Sequence, residues 1–172
     1  TLIVFSDTFG GGSALEHQNS HVGIYTSEGI GQDWIPSITS HEMVHAWNVK
    51  RMRPAEMMPY RYDVAQPTPW LWVSEGITDY YGDIARMRAG VIDSAGFLQS
   101  MDQNIQNVEQ TPAVALEDAS LSTWIHPTDG TGYVYYPKGS LAGFMLDILI
   151  RDASDNRRGL DDRAFIESLM VI

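Results

Sequence analysis

His41-Glu42-Met43-Val44-His45 lies inside a run from Pro36 to Arg51 that reads as one helix, with Asp33 or Ser37 to cap it and Pro54 just beyond its end. An α-helix turns by about 100° per residue, so residues four apart stand only about 40° apart around its axis. His41 and His45 therefore aim two imidazoles at one point. Glu42 sits on the adjoining face, from which it reaches a water held at that point rather than the point itself. The pattern suits one zinc ion, which needs a third protein ligand and keeps its fourth position for water.

The third ligand is sought downstream. Trp70 to Arg88 reads as a second helix ending near Gly90, and Trp72-Val73-Ser74-Glu75-Gly76 offers Glu75 early on it. Asp79 follows four residues later on the same face. A metal-bound histidine usually gives its other ring N–H to a carboxylate or carbonyl, and Asp79 is placed to take it from one of the two histidines, His41 in preference to His45. No fourth protein ligand stands at helical spacing, which argues against a closed, purely structural site. His17, His21 and His126 are not assigned to the metal.

Outward from these two helices, Leu2 to Phe5 and His21 to Thr26 read as strands, Gly10 to Ser13 as a flexible loop and Ser27 to Gly31 as a turn. Pro54, Pro59, Pro67 and Pro69 make 52–69 an irregular connection, long enough to suggest a functional loop or an insertion. Further helices are expected from Asp93 or Ser94 to about Val108, over Leu116 to Trp124, over Lys138 to Asp152 and from near Leu160. The expected fold class is α+β and mostly helical, with a short β portion at the N-terminal end and a helical bundle after it. Residues 1–172 are expected to form a single domain.

Composition narrows the chemistry. The chain contains no cysteine, which excludes disulfides, thiolate ligands and cysteine nucleophiles. Its formal charge of −11 repels phosphate backbones, so nucleic acid is not expected as a partner. No apolar run reaches the roughly 18 residues of a membrane span, and Leu141 to Ile150 is broken by Asp147. The expectation is a soluble fragment of a longer protein, its targeting signals outside the fragment and its compartment and oligomeric state open.

Four separated motifs, in one order, resemble the glycyl aminopeptidase family. They are His41-Glu-Met-Val-His-Ala-Trp-Asn-Val-Lys-Arg-Met-Arg-Pro54, Leu71-Trp-Val-Ser-Glu-Gly-Ile-Thr-Asp-Tyr-Tyr-Gly-Asp83, Gly11-Gly-Ser-Ala-Leu-Glu-His-Gln-Asn-Ser20 and Tyr136-Pro-Lys-Gly-Ser-Leu-Ala-Gly143. In the third, Ser13, Ala14 and Leu15 separate the glycines from Glu16, where the family pattern has one residue. His45 and Glu75 are 30 positions apart, longer than in thermolysin-like enzymes generally and similar to this family.

The resemblance implies a gluzincin with a thermolysin-like zincin catalytic domain, one Zn2+ ion and a peptide substrate. It also implies an all-β region before the catalytic part and a PDZ-like domain after it, both outside this sequence. It further implies that Tyr136 donates to the oxyanion of the reaction, with Tyr135 as the alternative. Glu16 would bind the substrate's α-ammonium through charge-assisted hydrogen bonds. Gly11 and Gly12 would let substrate backbone approach closely. The activity so implied is a zinc-dependent aminopeptidase that removes small N-terminal residues, Gly or Ala. An endopeptidase on the same site and a non-catalytic peptide-binding relative are the alternatives, and only the exopeptidase needs Glu16.

Overall fold

β1 (Leu2–Phe5), β2 (Ser13–Glu16) and β3 (His21–Tyr25) form a three-stranded sheet in the order β1-β3-β2. β1 runs parallel to β3, and β2 pairs antiparallel with it, setting Glu16 opposite His21. The computed structural model describes residues 2–8 and 12–162, about half of them helical. Strand β2 was not expected from the sequence. Ser13-Ala14-Leu15-Glu16 is a short edge strand beside a glycine run, and its pairing comes from β3 rather than from any local propensity. The turn between them closes when the His17 N–H donates to the Ser20 carbonyl at 2.7 Å.

The first long helix, α1, spans Trp34–Val44 and is shorter than the expected 36–51. Asp33 occupies its N-cap position with helical dihedrals and makes no side-chain capping bond. His45 keeps helical dihedrals at φ −58° and ψ −19°, so both histidines remain on one face. Beyond it the chain turns sharply. The Lys50 N–H returns to the His45 carbonyl at 3.1 Å, and Val49 takes a φ of 94°.

The expected helix from Trp70 to Arg88 is two pieces, a π-helical turn at Trp72–Gly76 and α2 at Ile77–Arg88. Gly90 follows with a φ of +72°, the left-handed conformation that ends helices at glycine. α3 spans Ser94–Glu109, and the Asp93 side chain caps it by accepting from the Gly96 N–H at 2.8 Å. α4 spans Leu116–Ser122 and runs into a 3-10 turn at Thr123–Ile125. α5 spans Tyr135–Ala153 and begins before the expected Lys138, which brings Tyr135 and Tyr136 into its first turn. The helix expected from Leu160 falls largely outside the described residues, as does Gly11.

Two apolar clusters hold the helices together. Tyr80, Phe97 and Met101 join α2 to α3, with Leu141 and Phe144 of α5 against them. Ala119, Val134 and Tyr135 join α4 to the start of α5, packed on Leu71 and Trp72 beside the π-turn. Among the described residues no helix is long and apolar enough to cross a membrane.

Asp147 explains the polar interruption in α5. It is 5% exposed, and Tyr80 OH and Arg151 Nε donate to its Oδ2, each at 2.8 Å. The Leu160 N–H donates to its Oδ1 at 2.6 Å, fastening the chain after α5 to the helix. Burial alone would raise the Asp147 pKa, but these hydrogen bonds hold it below the usual carboxylate value. A depressed native pKa contributes stability above the unfolded value of about 3.9 and loses it as pH falls through the native one. Asp147→Asn is therefore expected to cost about 2–3 kcal/mol at pH 7, with the gap to the parent narrowing below about pH 4. Urea denaturation at the two pH values checks both parts.

Candidate metal centre

α1 carries His41, Glu42 and, at its C-cap, His45, while the π-turn carries Glu75. Gly82 lets α1 and α2 approach closely, because a Cβ there would stand 3.3 Å from the His41 backbone nitrogen. His41 Nε2 and His45 Nε2 lie 2.8 Å apart, and Glu75 Oε2 is 3.2 Å from the first and 3.3 Å from the second.

The opposite ring nitrogens determine what this vertex needs. His41 Nδ1 is 2.6 Å from Asp79 Oδ1, and His45 Nδ1 is 3.0 Å from the Asn48 carbonyl oxygen. Both partners are acceptors, so each Nδ1 carries a proton and each Nε2 is the atom turned toward Glu75. Once the Nε2 protons are displaced, three lone-pair atoms face one another and can hold a cation between them. Tetrahedral ligands at about 2.0–2.1 Å from a metal stand roughly 3.3 Å from each other; the two separations to Glu75 match that, and the one between the imidazoles, at 2.8 Å, is shorter. The donor set therefore fits a divalent metal of zinc's preferences. Burial would lower the His41 pKa, yet hydrogen bonds and charge from Asp79 and Glu75 raise it to about 10. Burial would raise that of Glu75, yet hydrogen bonds from the two imidazoles hold it far below the usual range. The same carboxylates would favour a metal ion at this vertex, which binds as the Nε2 protons leave.

Glu42 is buried, and its Oε2 has no hydrogen-bond partner among the described residues. Burial raises its pKa, opposed by the two imidazoles and reinforced by Glu16 and Glu75. Of the three neighbouring tyrosines, Tyr133 is 74% exposed and Tyr135 packs in the core with Ala119 and Val134. Tyr136 lies with its ring centroid 6.0 Å from that of His41. Burial and the adjacent Glu75 carboxylate raise its pKa, so the phenol keeps its proton. Glycines explain how α5 comes so near. A Cβ on Gly139 would stand 2.5 Å from the Trp72 carbonyl oxygen, and one on Gly76 would stand 2.5 Å from the Gly139 Cα. Lys138 Nζ donates to the Val114 carbonyl at 2.5 Å and holds the same turn from the other side.

Glu16, at the end of β2, has a carboxylate oxygen within 4.8 Å of ligand atoms of both Glu42 and His45. A Cβ on Gly12 would stand 3.4 Å from the rings of Trp34 and Tyr25. Two residues at this centre escaped the sequence reading. Asn48 receives the His45 proton at its carbonyl, and its Nδ2 donates to the Val73 carbonyl and to Thr78 Oγ1, each at 2.8 Å, tying the end of α1 to the π-turn. Lys50 Nζ lies 2.9 Å from Glu16 Oε1. Asn48 stood three residues past His45 in a run read as continuous helix, where its carbonyl would have pointed along the axis.

A helical vertex of two histidines and a glutamate, with a spare buried carboxylate beside it, defines a candidate hydrolytic metal site, and the comparisons agree with that class. The structure is similar to the crystal structure of the aminopeptidase N family protein from Idiomarina loihiensis, with a TM-score of 0.83 and 24% identity over 96% of this chain. The chain spans 31% of the length of that protein. Comparison with curated proteins gives no match. Residues 35–142 match the profile of the M61 glycyl aminopeptidase family, and the chain belongs to that family of peptidases.

Proposed function

We propose that this chain is the catalytic part of a zinc-dependent aminopeptidase that removes small N-terminal residues, Gly or Ala, from peptides, on a thermolysin-like zincin scaffold. The observation that carries this reading is the convergence of three metal-ligand atoms beside a buried, unpartnered Glu42 oxygen. His41, His45 and Glu75 would hold one zinc ion, which when bound supplies Lewis acidity toward the scissile carbonyl and the attacking water.

The remaining chemistry belongs to the chain. Asp79 and the Asn48 carbonyl fix the tautomers of His41 and His45, so that both present lone pairs to the ion. Glu42 Oε2 takes the proton of the attacking water and passes it to the leaving amine. The Tyr136 phenol, kept protonated by burial and by Glu75, donates to the oxygen that gains negative charge. Glu16 binds the α-ammonium of the substrate, and its proximity to Glu42 and His45 favours this exopeptidase reading over an endopeptidase.

Two peptides of one sequence starting with Ala, one free and one N-acetylated, distinguish the readings by mass spectrometry on the zinc-loaded intact protein. Stepwise cleavage of the free peptide alone is expected. Internal cleavage of both would convert the assignment to an endopeptidase, and cleavage of neither with zinc bound would make the chain a peptide-binding relative.

A further inference from the structure

The chain carries 22 acidic against 11 basic residues, yet Lys50, Arg51 and Arg53 gather within four positions directly after the metal helix. Each has specific work. Lys50 Nζ pairs with Glu16 Oε1 at 2.9 Å, and both side chains are only 17% exposed. Arg51 donates to the Gln18 carbonyl at 3.3 Å and to Asn19 Oδ1 at 3.0 Å, both in the turn that follows Glu16. Arg53 stacks over the ring of Tyr60 at 4.6 Å, and the same ring stands 5.5 Å from Lys50 Nζ. The proline-rich connection that lengthens the gap between His45 and Glu75 thus supplies an aromatic wall behind Lys50.

The backbone at this place is also unusual. Val49 has a φ of 94°, a region costly for a β-branched residue, and it is buried with its N–H 2.6 Å from the Met52 carbonyl. That distortion reverses the chain just past α1 and directs Lys50 back toward β2. A carboxylate has room for more than one donor, and among the described residues only Lys50 reaches Glu16. Without that partner, Glu16 would be a free side chain on an edge strand, facing the Glu42 carboxylate within 4.8 Å.

We infer that Lys50 is the positioning residue of the amine anchor: it fixes the Glu16 carboxylate toward the metal centre by holding one oxygen, so that the other meets a substrate ammonium. Arg51 secures the turn that carries it. This rests on the reading of Glu16 as the amine anchor.

The test is steady-state kinetics on an Ala-terminated peptide with the zinc-loaded intact protein, alongside zinc content and Tm. Lys50→Met is expected to raise KM by about ten-fold and to change kcat by less than about three-fold, the scale of one charge-assisted hydrogen bond. Lys50→Arg is expected to return KM to within about three-fold of the parent. In a Glu16→Gln background, Lys50→Met is expected to change KM no further, because nothing remains to be positioned. Lys50→Gln, which keeps a donor and loses the charge, replaces Lys50→Met if that variant does not fold. If Glu16→Gln leaves KM unchanged, the anchor itself is wrong and the inference falls with it. If Glu16→Gln raises KM while Lys50→Met leaves it unchanged, lowers it, or acts instead through kcat or zinc content, the positioning role alone is overturned.

Discussion

Glu42→Gln is expected to lower kcat by about 10³–10⁴-fold on an Ala-terminated peptide, with zinc content and KM near those of the parent. Glutamine has the size and shape of glutamate, so packing at the end of α1 survives the exchange. What disappears is the basic oxygen. Glu42 Oε2 is buried without a hydrogen-bond partner among the described residues, and burial acts first to raise its pKa. It is thus an oxygen with an unmet need for a proton, beside the vertex where a substrate carbonyl would be attacked. Glu42 is not one of the three converging ligands, so removal of its charge leaves His41, His45 and Glu75 in place. Its loss removes the cost of burying a charge and the repulsion from Glu16 and Glu75, set against the lost attraction of the two imidazoles, and Tm is expected to stay near that of the parent. A fall in kcat of less than about ten-fold with zinc bound would remove Glu42 from the role of base.

Gly139→Ala is expected to damage stability and catalysis together. In a helix interior, alanine is favoured over glycine by about 1 kcal/mol, so a tolerant site would gain from the change. Gly143 is closer to such a site, because a Cβ there meets only side-chain atoms, of Ile77 and Tyr80, at 3.3–3.5 Å and no backbone. Gly139 faces backbone instead. Its Cβ would stand 2.5 Å from the Trp72 carbonyl oxygen and 3.0 Å from the Gly76 Cα, and neither yields without moving the π-turn. The expected cost is about 1–3 kcal/mol, a fall in Tm of roughly 2–4 °C for each. Separating α5 from the π-turn also separates Tyr136 from Glu75. A displacement near 1 Å is worth about 10²-fold in rate, so kcat/KM is expected to fall by that order, and zinc content, measured alongside, reports whether Glu75 has moved as well. Thermal melts and kinetics of Gly139→Ala and Gly143→Ala, side by side, separate a backbone collision from a general effect of added methyl groups.

The helices were legible because their signals are local. His41 and His45 share a face by spacing alone, Asp93 is a capping residue in front of an amphipathic run, and Gly90 stops α2 by its conformation. Glu75 and Asp79 were legible for the same reason, as a pair four apart. What could not be read depends on partners distant in sequence. β2 exists because β3 pairs with it. The pairing of Lys50 with Glu16 spans the whole of α1. The early end of α1 follows from Asn48, whose side chain is drawn to Val73 and Thr78 rather than left to a helical register. The π-turn was invisible because Trp72-Val73-Ser74-Glu75-Gly76 has ordinary helical composition, and its extra residue is accommodated against α5 at Gly139.

That widened turn has a consequence for how this segment can change over time. A π-turn holds one residue more than the α-helical turn it replaces, so the surplus can be lost without breaking the helix. Deleting one residue among 72–76 would leave a regular, stable cylinder and still ruin the centre. Everything before the deletion would rotate by about 100° against everything after it. Glu75 meets one edge of the His41 ring while Asp79 meets the other, so the two carboxylates act as the jaws of a gauge set to the width of an imidazole. Substitutions can drift at positions of this helix other than Glu75, Gly76, Asp79 and Gly82, but its length is frozen. Moving the pair to another scaffold would likewise require its approach to His41 and to Gly139 of α5 to be kept.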